Sequence, residues 1–197
     1  GLATYVLGIR ISRDRNSKLL YLDQEKYLDK VLKRFNMDNC NSLSTPVCKG
    51  LSLSKNMSPQ TKSDVEEMRN AQYAQAVGSL MYAMTSTSPD ICHAVGLVNR
   101  FQSNPGNEHW QAVKRIFRYL KGTKILKLYF GLCDLDIKWY TNADFAGDVD
   151  DRKSTSGHVF LFGGTAVSWL SKKHSWVAKY TMEAEYIACI TAVSNAV

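Results

Sequence analysis

At Gly122 the hydrophobic repeat of this chain changes period, and that change dictates the class of fold open to it. Ahead of the glycine, apolar residues return every three or four positions, as in Trp110, Val113, Ile116, Phe117 and Leu120. Lys114, Arg115, Arg118 and Lys121 fall between them, so one apolar stripe runs along a charged helix. Past the glycine, short runs rich in β-branched and aromatic residues take over at 126–130, 137–140, 158–162 and 166–170. Turns at Gly147 and Gly163-Gly164 separate them, and such runs read as strands. A last helix is expected from about residue 181 onward. The predicted class is α+β, with a mostly helical first half and a β-rich second half.

Within the first half, Tyr5-Val-Leu-Gly-Ile-Arg-Ile-Ser and Leu19-Leu-Tyr-Leu flank a polar turn, which predicts a β-hairpin. Asp23 is placed to cap a helix running to about Phe35, with Tyr27, Leu28, Val31, Leu32 and Phe35 on its apolar face. Residues 38–63 are rich in Asn, Ser, Thr, Lys and Pro and read as a loop. One continuous helix is expected over 64–84 and another from Asp90, after Pro89, to about 101. Asn104-Pro-Gly-Asn is a turn, and the basic helix at 108–121 is expected to stop at Gly122.

The chain has 197 residues, 45% of them hydrophobic, which is enough to bury a core and excludes disorder along its length. No apolar run approaches the ~20 residues that span a bilayer, and no signal segment follows Gly1. The chain therefore reads as an interior piece of a longer, soluble protein with no membrane partner. Five cysteines without a CxxC pair point to buried, free thiols in a reducing compartment rather than to a disulfide framework or a zinc knuckle. Twenty-five Lys and Arg against 18 Asp and Glu give a net charge of +7, compatible with a polyanionic partner but no proof of one.

The second half also carries an order of chemistry. A strand with carboxylates is followed by hairpin strands and then by a helix bearing glutamates, the order a two-metal nuclease uses to hold Mg2+ astride a phosphodiester. Asp148, Asp150 and Asp151 lack EF-hand spacing and read as a polar turn. His93, His109, His158 and His174 read as structural, and no Ser-His-Asp arrangement follows from the spacing.

The runs Trp139-Tyr-Thr-Asn-Ala-Asp-Phe-Ala-Gly-Asp, Asp151-Arg-Lys-Ser-Thr-Ser-Gly-His, Val167-Ser-Trp-Leu-Ser-Lys-Lys and Glu183-Ala-Glu-Tyr-Ile-Ala closely resemble the ribonuclease H domain of Ty1/copia-type retrotransposon Pol polyproteins. Tyr5-Val-Leu-Gly-Ile, 27–37 and Thr45-Pro46 resemble the end of the same family's reverse transcriptase. Gly78-Ser-Leu-Met-Tyr, Ser88-Pro-Asp-Ile and His109-Trp through Tyr119-Leu-Lys-Gly-Thr resemble its connection region. The resemblance implies three regions: the end of the palm and thumb at 1–45, a helical connection at 46–122, and a partial ribonuclease H-like mixed sheet with a helix at 123–197.

It also implies roles. The family's first metal-binding aspartate falls on Asn142, a neutral residue that holds Mg2+ more weakly than a carboxylate, and its helix glutamate falls on Glu185. Asp144, two residues beyond Asn142, is a second carboxylate for a metal or the cap of a turn. The polymerase aspartates and a third ribonuclease H carboxylate are expected outside the chain. Lys114, Arg115, Arg118, Lys121, Arg152, Lys153, Lys172 and Lys173 are the candidate contacts to RNA/DNA hybrid or other nucleic acid. The expected partners are that nucleic acid and the rest of the polyprotein, and the expected location is intracellular, in cytoplasmic virus-like particles or the nucleus. Two other readings stand beside this one: an active Mg2+-dependent ribonuclease H completed by Asp144, Glu185 or a partner chain, and a decayed element reused as a protein-interaction module.

Overall fold

The structure, a computed structural model, describes residues 3–131 and 136–196, which fall in two compact units, Gly1–Leu132 and Cys133–Val197. Cys133 lies outside the described residues.

The first unit opens with an antiparallel meander of β1 (Tyr5–Val6), β2 (Ile9–Asp14) and β3 (Leu19–Asp23). Leu7 and Gly8 both take positive φ, 49° and 81°, as a two-residue turn between right-twisted strands requires. Asp14 accepts the N–H groups of Asn16 and Ser17 and so fixes the next turn. Buried Asp23 pairs with Arg10 at 3.0 Å and accepts the Glu25 N–H at 3.4 Å, where helix α1 (Glu25–Arg34) begins. Asn36, at φ 53°, ends that helix in the left-handed conformation.

The single helix expected over 64–84 is two, α2 (Lys62–Met68) and α3 (Tyr73–Ser86). A Thr61–Asp64 capping box starts α2, which buries no residue of its own; Val65 and Met68 are its only apolar residues, set among Lys62, Ser63, Asp64, Glu66 and Glu67. The buried stripe begins only at Tyr73, whose hydroxyl donates to the Val98 carbonyl at 2.7 Å, and continues through Ala76, Val77, Leu80 and Ala83. Then come α4 (Cys92–Asn99) and α5 (Asn107–Thr123). The core joins α1, α3, α4 and α5, with Phe117 fully buried and stacked on Phe35 at 5.1 Å. His109 is structural here: its Nδ1 accepts the Gly106 N–H at 2.9 Å and its Nε2 lies 3.1 Å from the Ser54 carbonyl.

Three boundaries shift from expectation. Gly122 does not stop α5; it sits within the helix, where a Cβ would come within 3.1 Å of Ser42. The strand expected at 126–130 is β4 (Leu128–Phe130), which pairs with β3 and so belongs to the first unit. Residues 1–45 form no separate body, because Leu28, Val31 and Leu32 share one core with residues 73–120.

The second unit is an antiparallel meander of β5 (Ile137–Ala143), β6 (Thr155–Phe162) and β7 (Thr165–Lys173), in that order. Both sheets are antiparallel among the described residues, which include no parallel pair of the mixed sheet the resemblance implied. Gly163 and Gly164, at φ 56° and 79°, make the β6–β7 turn. Helix α6 (Thr181–Ala196) buries Ala184, Ala188 and Ala192, and its Tyr186, Ile190 and Val193 are exposed. Strand β5 is an edge, with Ile137, Trp139 and Tyr140 exposed along it. Of the described cysteines, none in a disulfide, Cys92 is buried, Cys40 half-buried, and Cys48 and Cys189 exposed. The expectation of buried thiols therefore holds for Cys92 alone. No helix among the described residues is long and apolar enough to cross a membrane.

Candidate functional site

Successive backbone N–H groups of a strand point to opposite sides. The Asp144 N–H donates to the Thr155 carbonyl at 3.0 Å, toward β6, so the Ala143 N–H points to the open edge of β5. Glu185, in the second turn of α6, accepts that N–H on Oε2 at 3.1 Å. The helix glutamate thus reaches the residue next to Asn142, although Ala143 and Glu185 lie 42 residues apart. Asn142 is exposed and, by strand alternation, projects from the pleat face opposite Ala143.

Asp144 has a local task. Its Oδ1 accepts the Thr155 N–H, and its Oδ2 lies so close over Gly147 that a Cβ there would come to 2.2 Å. It therefore holds together the two ends of the 144–155 loop. The donor set is poor for a pair of magnesium ions: one position is a neutral amide, and one oxygen of each carboxylate already accepts a backbone N–H. No group of three or more His, Cys, Asp or Glu suited to a metal occurs among the described residues.

The loop itself is built on Asp148. Its Oδ1 accepts the N–H groups of Asp150 and Asp151, and its Oδ2 takes the Lys173 ammonium at 3.0 Å. Lys173 also meets Asp151 at 3.0 Å, and Lys153 lies 3.7 Å from the same carboxylate. Burial opposes the charge on Asp148, but the contacts to Asp151 and Lys173 outweigh it and hold its carboxyl well below the ordinary range. Of the cations proposed for nucleic acid here, Lys173 is committed to this network, and Arg152 and Lys172 are exposed. Buried His174 bonds through Nε2 to the Ser156 hydroxyl, and its backbone N–H donates to the Ser154 carbonyl at 2.8 Å. Burial lowers the pKa of both His158 and His174, with Asp144 partly offsetting the effect at His174.

The basic stripe of α5 does something the sequence reading missed. Arg115 Nη2 donates to Thr45 Oγ1 at 2.8 Å, Arg118 Nε to the Asn41 carbonyl at 2.8 Å, and Lys121 Nζ to the Cys40 carbonyl at 2.5 Å. The Leu43 N–H returns a bond to the Arg118 carbonyl at 3.3 Å. Three of the four cations thus clamp residues 40–45 onto the helix, and the fourth, Lys114, lies over the Trp110 ring at 5.6 Å. The signal was present as an Asn- and Ser-rich segment whose polar groups needed partners. Between this segment and α5 lies a cleft of about 470 Å³.

Comparison with known proteins shows what the chain is similar to. The chain is 54% identical over 188 residues to a retrovirus-related Pol polyprotein from transposon TNT 1-94 of Nicotiana tabacum, covering 95% of this chain and 14% of that one. It is 45% identical over 131 residues to the secreted RxLR effector protein 161 of Plasmopara viticola, covering 66% of this chain and 92% of the effector. A third relative, the retrovirus-related Pol polyprotein from transposon RE1 of Arabidopsis thaliana, is 37% identical over 92% of this chain and 12% of its own length. No protein-family profile and no solved structure matches the chain. With more than half its residues shared along nearly its whole length, the chain is similar to a segment of retrotransposon Pol polyproteins, of whose length it spans 14% and 12% in these two relatives.

Proposed function

We propose that this chain holds RNA/DNA hybrid as the stretch of a copia-type Pol polyprotein that leads from the end of reverse transcriptase, through a helical connection, into ribonuclease H. The observation that carries the reading is the contact of Glu185 with the β5 backbone between Asn142 and Asp144. In the family that junction is where two metal-binding carboxylates meet. Here Asn142 supplies no charge, and Asp144 and Glu185 are engaged with backbone N–H groups, so the chain is a binding element and not a nuclease by itself. Net charge of +7 and the exposed cations Arg152 and Lys172 supply the attraction. Recognition through 2′-hydroxyls and groove shape would leave little sequence preference. The parent polyprotein would copy RNA into DNA and cut the RNA of the hybrid.

Fluorescence anisotropy with a labelled hybrid tests this. Affinity should fall with salt on a log–log slope of roughly −3 to −5, as a few phosphate contacts require. A flat salt response overturns the proposal.

A second reading, reuse as a protein-interaction module, draws support from the effector relative, nearly the whole of which aligns to two thirds of this chain. Salt-independent binding to a protein partner, with none to hybrid, would favour it.

A further inference from the structure

We propose that the cleft between α5 and the 40–51 segment seats one backbone phosphate of nucleic acid, gripped by the side-on fork of Arg115. The inference rests on the nucleic-acid reading above and names where contact is made. Lys114, Arg115 and Arg118 line the α5 wall of the cleft, and Leu43, Cys48 and Leu51 line the other.

A guanidinium presents Nε and Nη2 on one edge, a fork that fits an acceptor carrying two oxygens. Arg115 uses only one prong: Nη2 donates to the Thr45 hydroxyl at 2.8 Å, and Nε is buried with no hydrogen-bond partner. A buried donor left without a partner keeps its desolvation penalty, so the site in this form is under-satisfied. A single hydroxyl oxygen does not fill both prongs; the two unesterified oxygens of a phosphodiester do. Thr45 is exposed and is held to α5 by that one side-chain bond, so it is readily exchanged for the ligand.

The surroundings favour an anion. Arg118 spends Nε on the Asn41 carbonyl and has no further hydrogen bond among the described residues, which leaves its Nη donors for a second phosphate oxygen. Lys114 adds a third positive charge, set against a single carboxylate, Glu108, in the lining. The apolar wall of Leu43 and Leu51 suits the sugar that flanks a phosphate, a feature an acidic peptide would not need.

The test measures hybrid affinity for the full chain and for Arg115→Lys, Arg115→Gln and Thr45→Val, each checked for an unchanged melting curve. Arg115→Lys keeps the charge and loses the fork, so affinity should drop about fivefold with the salt slope unchanged. Arg115→Gln should lose affinity and also lower the slope by about 0.9. Thr45→Val removes the competing hydroxyl and should bind about threefold tighter. Inorganic phosphate should compete better than chloride at equal ionic strength. Wild-type affinity in Arg115→Lys, no gain in Thr45→Val, or competition by polyglutamate equal to that of a charge-matched oligonucleotide would each overturn the seat. Hybrid binding that survives both Arg115 substitutions overturns the seat alone, whereas no hybrid binding by the wild type overturns the proposed function with it. Should the Arg115 variants melt early, Thr45→Val decides the matter by itself.

Discussion

Glu185 Oε2 lies 3.1 Å from the Ala143 nitrogen, so a helix carboxylate satisfies a backbone donor on the open edge of β5. This contact ties α6 to the edge of the sheet. Removing it has a defined cost. Glu185→Ala should destabilise the second unit by about 1–2 kcal/mol, because a charge-assisted hydrogen bond to backbone is lost. Glu185→Gln keeps an acceptor and should cost less than half of that. Urea denaturation followed by tryptophan fluorescence reads both, and equal losses would argue against the contact.

Asn142→Asp adds a carboxylate next to Ala143, the residue whose N–H Glu185 holds, and two residues from Asp144. Magnesium titration followed by NMR of residues 140–145 should show about tenfold tighter binding in the variant than in the wild type. Identical titrations would mean that position 142 does not face the same site as Glu185.

Gly106 is confined for a reason unrelated to φ. A Cβ at this position would come to 1.8 Å from the Met57 carbonyl, a backbone atom with little room to move. Gly106→Ala should cost about 3 kcal/mol, by overpacking and by disturbing the His109 cap. A variant as stable as the wild type in denaturant would show that the 54–58 segment yields.

Acid should unfold the second unit in two steps. His158 and His174 have folded pKa values below the ordinary histidine value of 6.5, so the unfolded chain binds more protons below that pH. Their contribution is complete above about pH 6.5 and fades as pH falls through the lowered values. Asp148, also lowered, contributes fully above the ordinary aspartate value and loses that contribution as pH drops below about 4. Urea midpoints between pH 8 and 3 should trace both steps, and Asp148→Asn should remove only the lower one. Stability that rose on acidification would contradict the assignment.

Periodicity made α5, the β2–β3 hairpin and the Gly163-Gly164 turn legible, because each rests on neighbours in sequence. The break between α2 and α3 was not, since helix-forming residues run through it and only the tertiary burial of Tyr73 decides where the second helix starts. Nor was the pairing of β4 with β3, which closes over a hundred residues away from its partner. At the candidate site, resemblance identified Asn142 and Glu185, and the structure sets them on either side of Ala143. The clamp of Arg115, Arg118 and Lys121 on residues 40–45 escaped notice because an amphipathic helix shows which face is charged but not what that face holds.

Whether this chain holds hybrid without cutting it, as proposed, can be read in one assay. The most direct measurement incubates saturating chain with an end-labelled RNA/DNA hybrid and Mg2+, and resolves bound and cleaved RNA in the same samples. The account predicts hybrid retained at low salt, released as salt rises, and RNA intact throughout. Mg2+-dependent cleavage that disappears in Asp144→Ala, or no retention at low salt, would contradict it.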